Sequence, residues 1–366
     1  MKQILLYNSH TKNEPLFSEV IESLRQQKFI FTIFSRNADP RKNGTPLLSS
    51  NKALVLSLLP VWYLLYFIIF SFRTLLFKPR ILICLHWPEK LIFSPIAHLL
   101  KWRVLWIELP DSINPPHFFV CKKLYQWSAV NSEIIMFSHQ QEKQFREYVP
   151  HNKSVNLLKP LAYPNAPFHQ QDLFKALADR PRHRFVIGAI VENLEKKFIE
   201  RLLSALAIGL SVCSTLELMI IGDGENRKQL LWLIRKMGLG NHVWLVGSST
   251  DFIRWLEHVD MYVLPYESPS LEDIAKTILV MGQGIPVLGH ISAGLDEVVN
   301  SRTGALVDIT DSETIARHII HLEQAGDLRK SIGKEAKQAA IHLTFEQFIL
   351  DFSTILSGKE SSDKHI

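Results

Sequence analysis

LPYESPSLEDIAKTILVMGQGIPVLGH, residues 264–290, decides how this chain folds. An apolar run ends in Pro265 and Tyr266, and an acidic Ser/Pro loop follows. A helix-like stretch comes next, and a Gly-x-Pro-Val segment opens a second apolar run. Strand, loop, helix and strand in that order form the repeating unit of a parallel α/β sheet. In such sheets ligands bind beyond the carboxyl ends of the strands, so the loop carrying Glu267 and Ser268 is a candidate binding element. Glu272 sits at the predicted helix start, where an acidic side chain is favoured by the helix dipole.

The same alternation extends outward on both sides. FVIGAI, LELMIIG, HVWLVG and DMYVLP read as strands upstream, with helices predicted near 194–208, 225–237 and 272–282. In the first half QILLY, FIFTIF, RILICL, RVLWI and EIIMF are separated by helical segments, the first near 14–27. Such alternation predicts mostly parallel sheets covered on both faces. The Pro-rich KPLAYPNAPFHQ (159–170) and polar RPRHR (180–184) interrupt it and read as a linker. The expected fold class is α/β, with two doubly wound Rossmann-like domains facing a cleft. The first spans 1–165, a linker covers 166–183, and the second spans 184–342.

Composition sets the outer limits. A chain of 366 residues is long enough for two cores, and 47% apolar against 21% charged residues excludes a disordered protein. Cys84, Cys121 and Cys213 have no CxxC or metal-type spacing and fit a reducing compartment and core packing. MKQILLYNSH reads as a first strand and not as a signal peptide. Residues 1–180 hold 22 Lys/Arg against 12 Asp/Glu, a net of +10, whereas residues 181–366 hold 19 against 24, a net of −5. The basic half points to an anionic partner. Its cations are scattered without interleaved aromatic platforms, so no nucleic acid is expected.

Residues 53–72, ALVLSLLPVWYLLYFIIFSF, carry no charge between Lys52 and Arg73. Twenty such residues reach the length of a membrane span. A span here would pass between strands of one sheet, and Pro60, Trp62 and Tyr63 lie mid-run, not at its edges. The favoured reading is an apolar helix near 53–77 that dips into an anionic membrane surface beside Arg73, Lys78 and Arg80. A buried core helix and a true span are the alternatives.

The second half also holds glycine turns. In IIGDGENRKQL (220–230) Gly222 and Gly224 follow a strand and precede a helix, and HVWLVG ends in Gly247. Glycines there allow close backbone approach, and a helix N-terminus offers N–H groups to an anion. Taken together with WLEHVDMYVLP, GQGIPVLG, GLDEVV and TGALVD, these segments resemble, in order and spacing, the second domain of the GT-B glycosyltransferases. The likeness is greatest to the retaining family-4 type, known as glycosyl transferases group 1. It covers about 184–310 and extends loosely into the first half through RILICLHWPEK and RVLWIELPD.

That resemblance implies a nucleotide diphosphate sugar donor on the second domain and an acceptor on the first. It implies a final helix within 343–366 crossing back, and neither a cofactor nor a metal. The family's arginine and lysine after the first strand of the second domain align with GAIVENLEKKF (188–198), where Gly188 lies. Lys196 or Lys197 matches the lysine, and Ala189 stands in the arginine's place. One alignment makes Glu272 the acid that contacts the sugar. The second acid then falls on Leu279 or Val280, neither of them acidic. Another alignment, with Lys276 leading the helix, resembles a divergent branch and makes Glu267 the loop acid. Gly294 supplies backbone N–H groups to a phosphate or sugar oxygen, with Glu297 orienting the turn.

In the first half His86 and Glu108 follow predicted strands and would face the cleft. Glu108 occupies a place where the family often has a histidine, and YNSHTKNEP replaces its Gly-rich first loop. The expected protein is a peripheral glycosyltransferase on the cytoplasmic membrane face. It would transfer sugar to a lipid-linked or polysaccharide-precursor acceptor. A GT-B scaffold in a glycan-assembly complex, with its catalysis lost, is the rival.

Overall fold

The computed structural model describes residues 2–8, 14–27, 29–35, 68, 81–110, 119–152, 154–161, 184–191, 196–222, 226–247, 252–292 and 294–358. The chain divides into two units, Met1–Lys159 with Glu346–Ile366, and Pro160–Phe345. The apolar stretch 53–77 lies outside the described residues except for Ile68. Among the described residues no helix is long and apolar enough to cross a membrane.

The first unit contains β1 (Lys2–Asn8), α1 (Glu14–Gln26), β2 (Phe29–Ser35), β3 (Ile81–Cys84), α2 (Trp87–Leu99), β4 (Arg103–Ile107), α3 (Phe119–Val130), β5 (Glu133–Met136), α4 (His139–Tyr148) and β6 (Val155–Leu157). Its six strands are parallel in the order β2-β1-β3-β4-β5-β6. All four residues of β3 are buried, which is why that segment is an unbroken apolar run instead of an alternating one. The order reverses between β1 and β3.

The second unit contains β7 (Phe185–Ile190), α5 (Lys196–Leu210), β8 (Leu216–Ile221), α6 (Arg227–Lys236), β9 (Val243–Val246), α7 (Ile253–Leu256), β10 (Met261–Val263), α8 (Leu271–Gly282), β11 (Val287–His290), β12 (Gly304–Val307), α9 (Ser312–Gln324) and α10 (Gly326–Ile341). The sheet is again parallel, in the order β12-β11-β10-β7-β8-β9. Successive residues of β7 point to opposite faces and feed two cores. Phe185, Ile187 and Ala189 join α5, α6 and α9 on one face. Val186 and Ile190 join α8 and α10 on the other.

The quoted stretch folds for identifiable reasons. Ser270 caps α8, its hydroxyl accepting the Asp273 N–H at 3.2 Å while the Asp273 carboxylate accepts the Ser270 N–H at 2.9 Å. The helix ends where Gly284 takes a left-handed φ of 79°. Residue 333 on α10 must be glycine too, because a Cβ there would collide with the Gly284 carbonyl.

The last helix, α11 (Phe345–Ser357), falls almost wholly within the first unit. Arg103 donates to the Leu356 and Ile355 carbonyls at 3.0 and 2.8 Å, satisfying acceptors that a helix end leaves open. The same guanidinium is held by Glu133 through Nε at 2.6 Å. The strand β6 and the helices α9 and α10 go beyond the elements anticipated from sequence. β6 is three residues long and nowhere fully buried, so it lacks an apolar run.

Candidate active site at a strand switch point

In the second sheet the chain leaves β7 toward β8 and β9, then returns to the other side of β7 as β10. Connections leaving two neighbouring strands in opposite directions open a crevice at their carboxyl ends. The segments that emerge there are the start of α5 and the loop 264–270. Glu267, on that loop, accepts from Arg201 Nη1 at 2.6 Å and from Lys197 Nζ at 3.1 Å. Lys197 and Arg201 are one helical turn apart on α5, so both reach the same carboxylate. Their hydrogen bonds hold the Glu267 carboxyl below the usual range, Arg201 contributing most. The three side chains are 62%, 20% and 35% exposed for Lys197, Arg201 and Glu267.

Aromatic residues fix the two segments against each other. Phe198 and Tyr266 meet edge to face with centroids 5.0 Å apart. Tyr262 on β10 is buried, and its hydroxyl engages the Ile190 backbone and the Thr277 side chain. Burial pushes that phenol well above its usual value, so it stays neutral. Strands β7 and β10 and helix α8 are thereby locked together below the ionic cluster.

The other residues expected here fall in varied places. Lys196 engages Glu200 on its own helix at 3.5 Å. Glu272 pairs with the buried Lys276 one turn along α8 at 3.1 Å. Ser268 is exposed on the loop. Val280 is buried in the core between α8 and its neighbours, and Leu279 packs against the same core, so neither position offers a polar group to a ribose.

Gly188 lies inside β7, within the run FVIGAI read as a strand, and a Cβ there would press on Val259 at 2.8 Å. Gly222 donates its N–H to the carbonyls of Val246 and Gly247 at 3.2 and 3.0 Å, tying β8 to the end of β9. Gly224 lies outside the described residues. Gly294 has a φ of 86°, and its N–H donates to Asp296 Oδ1 at 2.9 Å. A carboxylate oxygen thus occupies the direction in which the turn would present its N–H to an anion. Glu297 is exposed beside it.

In the first unit His86 follows β3 at the start of α2, beside the switch between β1 and β3, and is partly exposed. Its backbone N–H donates to Glu89 Oε2 at 3.1 Å. Glu108 departs from the expectation that it faces a strand-end crevice. It is interior, paired with Lys90 at 2.8 Å, and the two side chains are 5% and 2% exposed. Tyr125 donates to the same carboxylate at 3.2 Å, and burial with this anion raises the phenol further. Lys90 also donates to the Ile107 carbonyl at 3.3 Å and lies over the Trp106 ring at 5.6 Å. Glu108 is consumed by this interior network and is not presented as an acid at the strand ends.

Comparison with known proteins adds the following. Residues 175–339 match the family profile described as "Glycosyl transferases group 1". That match spans 165 of the 366 residues, under half of the chain. A glycosyltransferase from Rickettsia africae ESF-5 shares the fold over 98% of this chain and 99% of its own, with a TM-score of 0.76 and 16% identity. Anabaena Alr3699/HepE, solved in complex with UDP, shares it over 98% and 100%, with a TM-score of 0.70 and 15% identity. In sequence the chain is 28% identical over 188 residues to the lipopolysaccharide core biosynthesis glycosyltransferase LpsE of Rhizobium meliloti. That match takes in 50% of this chain and 53% of LpsE, so the chain spans about half the length of this curated relative.

Set against the group 1 pattern, Arg201 was missed in the sequence because it lies within α5 and outside the family's expected arginine position. The available signal was its spacing, four residues beyond Lys197 on a predicted helix. Lys90 and Tyr125 carry no motif, and only the packed sheet brings them to Glu108.

Proposed function

We propose that this chain is a nucleotide-sugar-dependent hexosyltransferase whose donor diphosphate is held by Lys197 and Arg201. The observation that carries the reading is the convergence of those two cations on Glu267 at the β7/β10 switch point, within the stretch that matches the group 1 profile. Arg201 takes the part of the arginine that Ala189 displaces. A diphosphate, with more charge and more acceptor oxygens than one carboxylate, competes for the guanidinium and the ammonium. Glu267, released, is free to accept from a sugar hydroxyl.

In the reaction the bond between the anomeric carbon and the diphosphate oxygen breaks, and the acceptor oxygen bonds to that carbon. The acceptor proton passes to the departing phosphate oxygen, on the face that retains configuration. The cations stabilise charge that grows as the bond breaks, in the role a metal plays elsewhere. His86 is offered to the acceptor side. The acceptor is a lipid-linked or polysaccharide-precursor glycan at the cytoplasmic membrane face, reached through the +10 first half and residues 53–77.

The test is a panel of uridine and guanosine diphosphate sugars offered to the full chain, with binding by calorimetry and transfer or hydrolysis by released nucleotide. Saturable binding that Arg201→Ala weakens is expected. Absence of binding across the panel sinks the proposal. A catalytically silent GT-B scaffold is the second reading, and core-facing Val280 favours it. Binding of donor without turnover on any acceptor in a membrane extract would select that reading.

A further inference from the structure

The second unit has a net charge of −5 over residues 181–366, yet one of its segments runs the other way. Residues 226–247, which hold α6 and β9, contain four Lys/Arg and no Asp/Glu. The cations Lys228, Arg235 and Lys236 are exposed, and at positions i, i+7 and i+8 they share a face with Trp232 at i+4. Trp232 is 62% exposed and Leu231 beside it 39%. Lys236 Nζ sits 5.0 Å above the Trp232 ring. The opposite face, Leu230 and Ile234, is buried in the core.

Ordinary helix chemistry accounts for only part of this. Arg235 and Lys236 in the last turn suit the helix dipole. Arg227 and Lys228 stand in the first turn, where cations are disfavoured, and that turn holds no acid, although Asp223 and Glu225 precede it in the sequence. Nor does an exposed tryptophan help a surface helix. An amphipathic ring ringed by cations, on a helix anchored by its other side, matches the interface of an anionic bilayer.

We infer that the Lys228–Trp232–Arg235–Lys236 face of α6 docks on anionic lipid, giving the second unit its own membrane contact. The inference does not rest on sugar transfer, nor on residues 53–77. Trp232 and Leu231 enter the headgroup boundary while the three cations meet lipid phosphates.

The test uses the full chain and vesicles of phosphatidylcholine with or without 30% phosphatidylglycerol, a probe composition of about one anionic lipid in three. Charge reversal at Lys228, Arg235 and Lys236, singly, is expected to lower partition onto the anionic vesicles about fivefold each. Trp232→Ala should lower it by a similar factor. Trp244→Ala, an exposed tryptophan on the edge strand β9, should leave it unchanged. Brominated lipid should quench the wild-type fluorescence more than that of Trp232→Phe, a readout that survives if a reversal variant misfolds. Equal quenching in the two, or partition untouched by all α6 variants, overturns the inference. So does equally tight, α6-dependent binding to a soluble polyanion without quenching, which would mark the face as a reader of charge alone.

Discussion

Each unit places a lysine against a glutamate near the ends of its central strands, and the two pairs differ in what surrounds them. Lys90 and Glu108 meet at 2.8 Å with both side chains almost fully enclosed. Lys197 and Glu267 meet at 3.1 Å with both open to water. In the interior each charge has given up its hydration, and breaking the pair strands the survivor in a poor solvent. At the surface water competes for both partners, and the pair contributes little to stability. The first pair is a strut. The second can exchange partners, and exchange is what a charged ligand requires.

The contrast can be broken experimentally, beginning with the largest effect. Lys90→Met strands Glu108, and urea unfolding should show a loss of about 3–5 kcal/mol. Adding Glu108→Leu, which removes the stranded charge, should restore much of that loss, with Tyr125 left to find another acceptor. If Lys90→Met is neutral, the interior pair is not a strut.

Arg201→Ala should reverse the balance, with little change in unfolding and donor affinity falling by about 2 kcal/mol, or roughly thirtyfold. Lys197→Ala, which removes a more exposed cation, should cost less, about 1 kcal/mol in the same calorimetric titration. Equal losses from the two would mean that the guanidinium has no special geometry.

The smallest effect concerns pH. Glu267 is held below the usual carboxylate range in the folded chain. Its stabilisation is therefore complete above about pH 5, past the ordinary carboxylate value, and disappears as pH falls through the lowered folded value. Glu267→Gln should differ from wild type in stability by under about 1 kcal/mol at pH 7, and the two curves should converge in acid. A gap that widens as pH falls would contradict the assignment of that cluster.

Much of the architecture was legible because parallel sheets write themselves into sequence. The segment ILIC has four buried residues because both faces of β3 are covered, and no other environment selects such a run so plainly. The Ser270/Asp273 cap and Gly284 mark the ends of α8 by local chemistry alone. Helix α9 carries a comparable mark that was not read, Asp311 accepting the Glu313 and Thr314 N–H groups at 3.1 and 3.0 Å, whereas α10 has no side-chain cap. At the site, the loop acid Glu267 was readable as one of two alternatives. Their different partners were not, since only the packed chain turns Glu272 to Lys276 on its own helix and brings Glu267 to Lys197 and Arg201.

The linear chain by itself determined most of the strands, that two sheets exist, and that an acidic loop follows β10, since those features depend on neighbours within a few residues. Only the tertiary structure decided which acids are available. A strand-end rule locates Glu108 and Glu267 equally well, but burial is a property of what packs around a residue from distant parts of the chain. Lys90 and Tyr125, brought in by α2 and α3, close over the first carboxylate, while Lys197 and Arg201 leave the second at the surface.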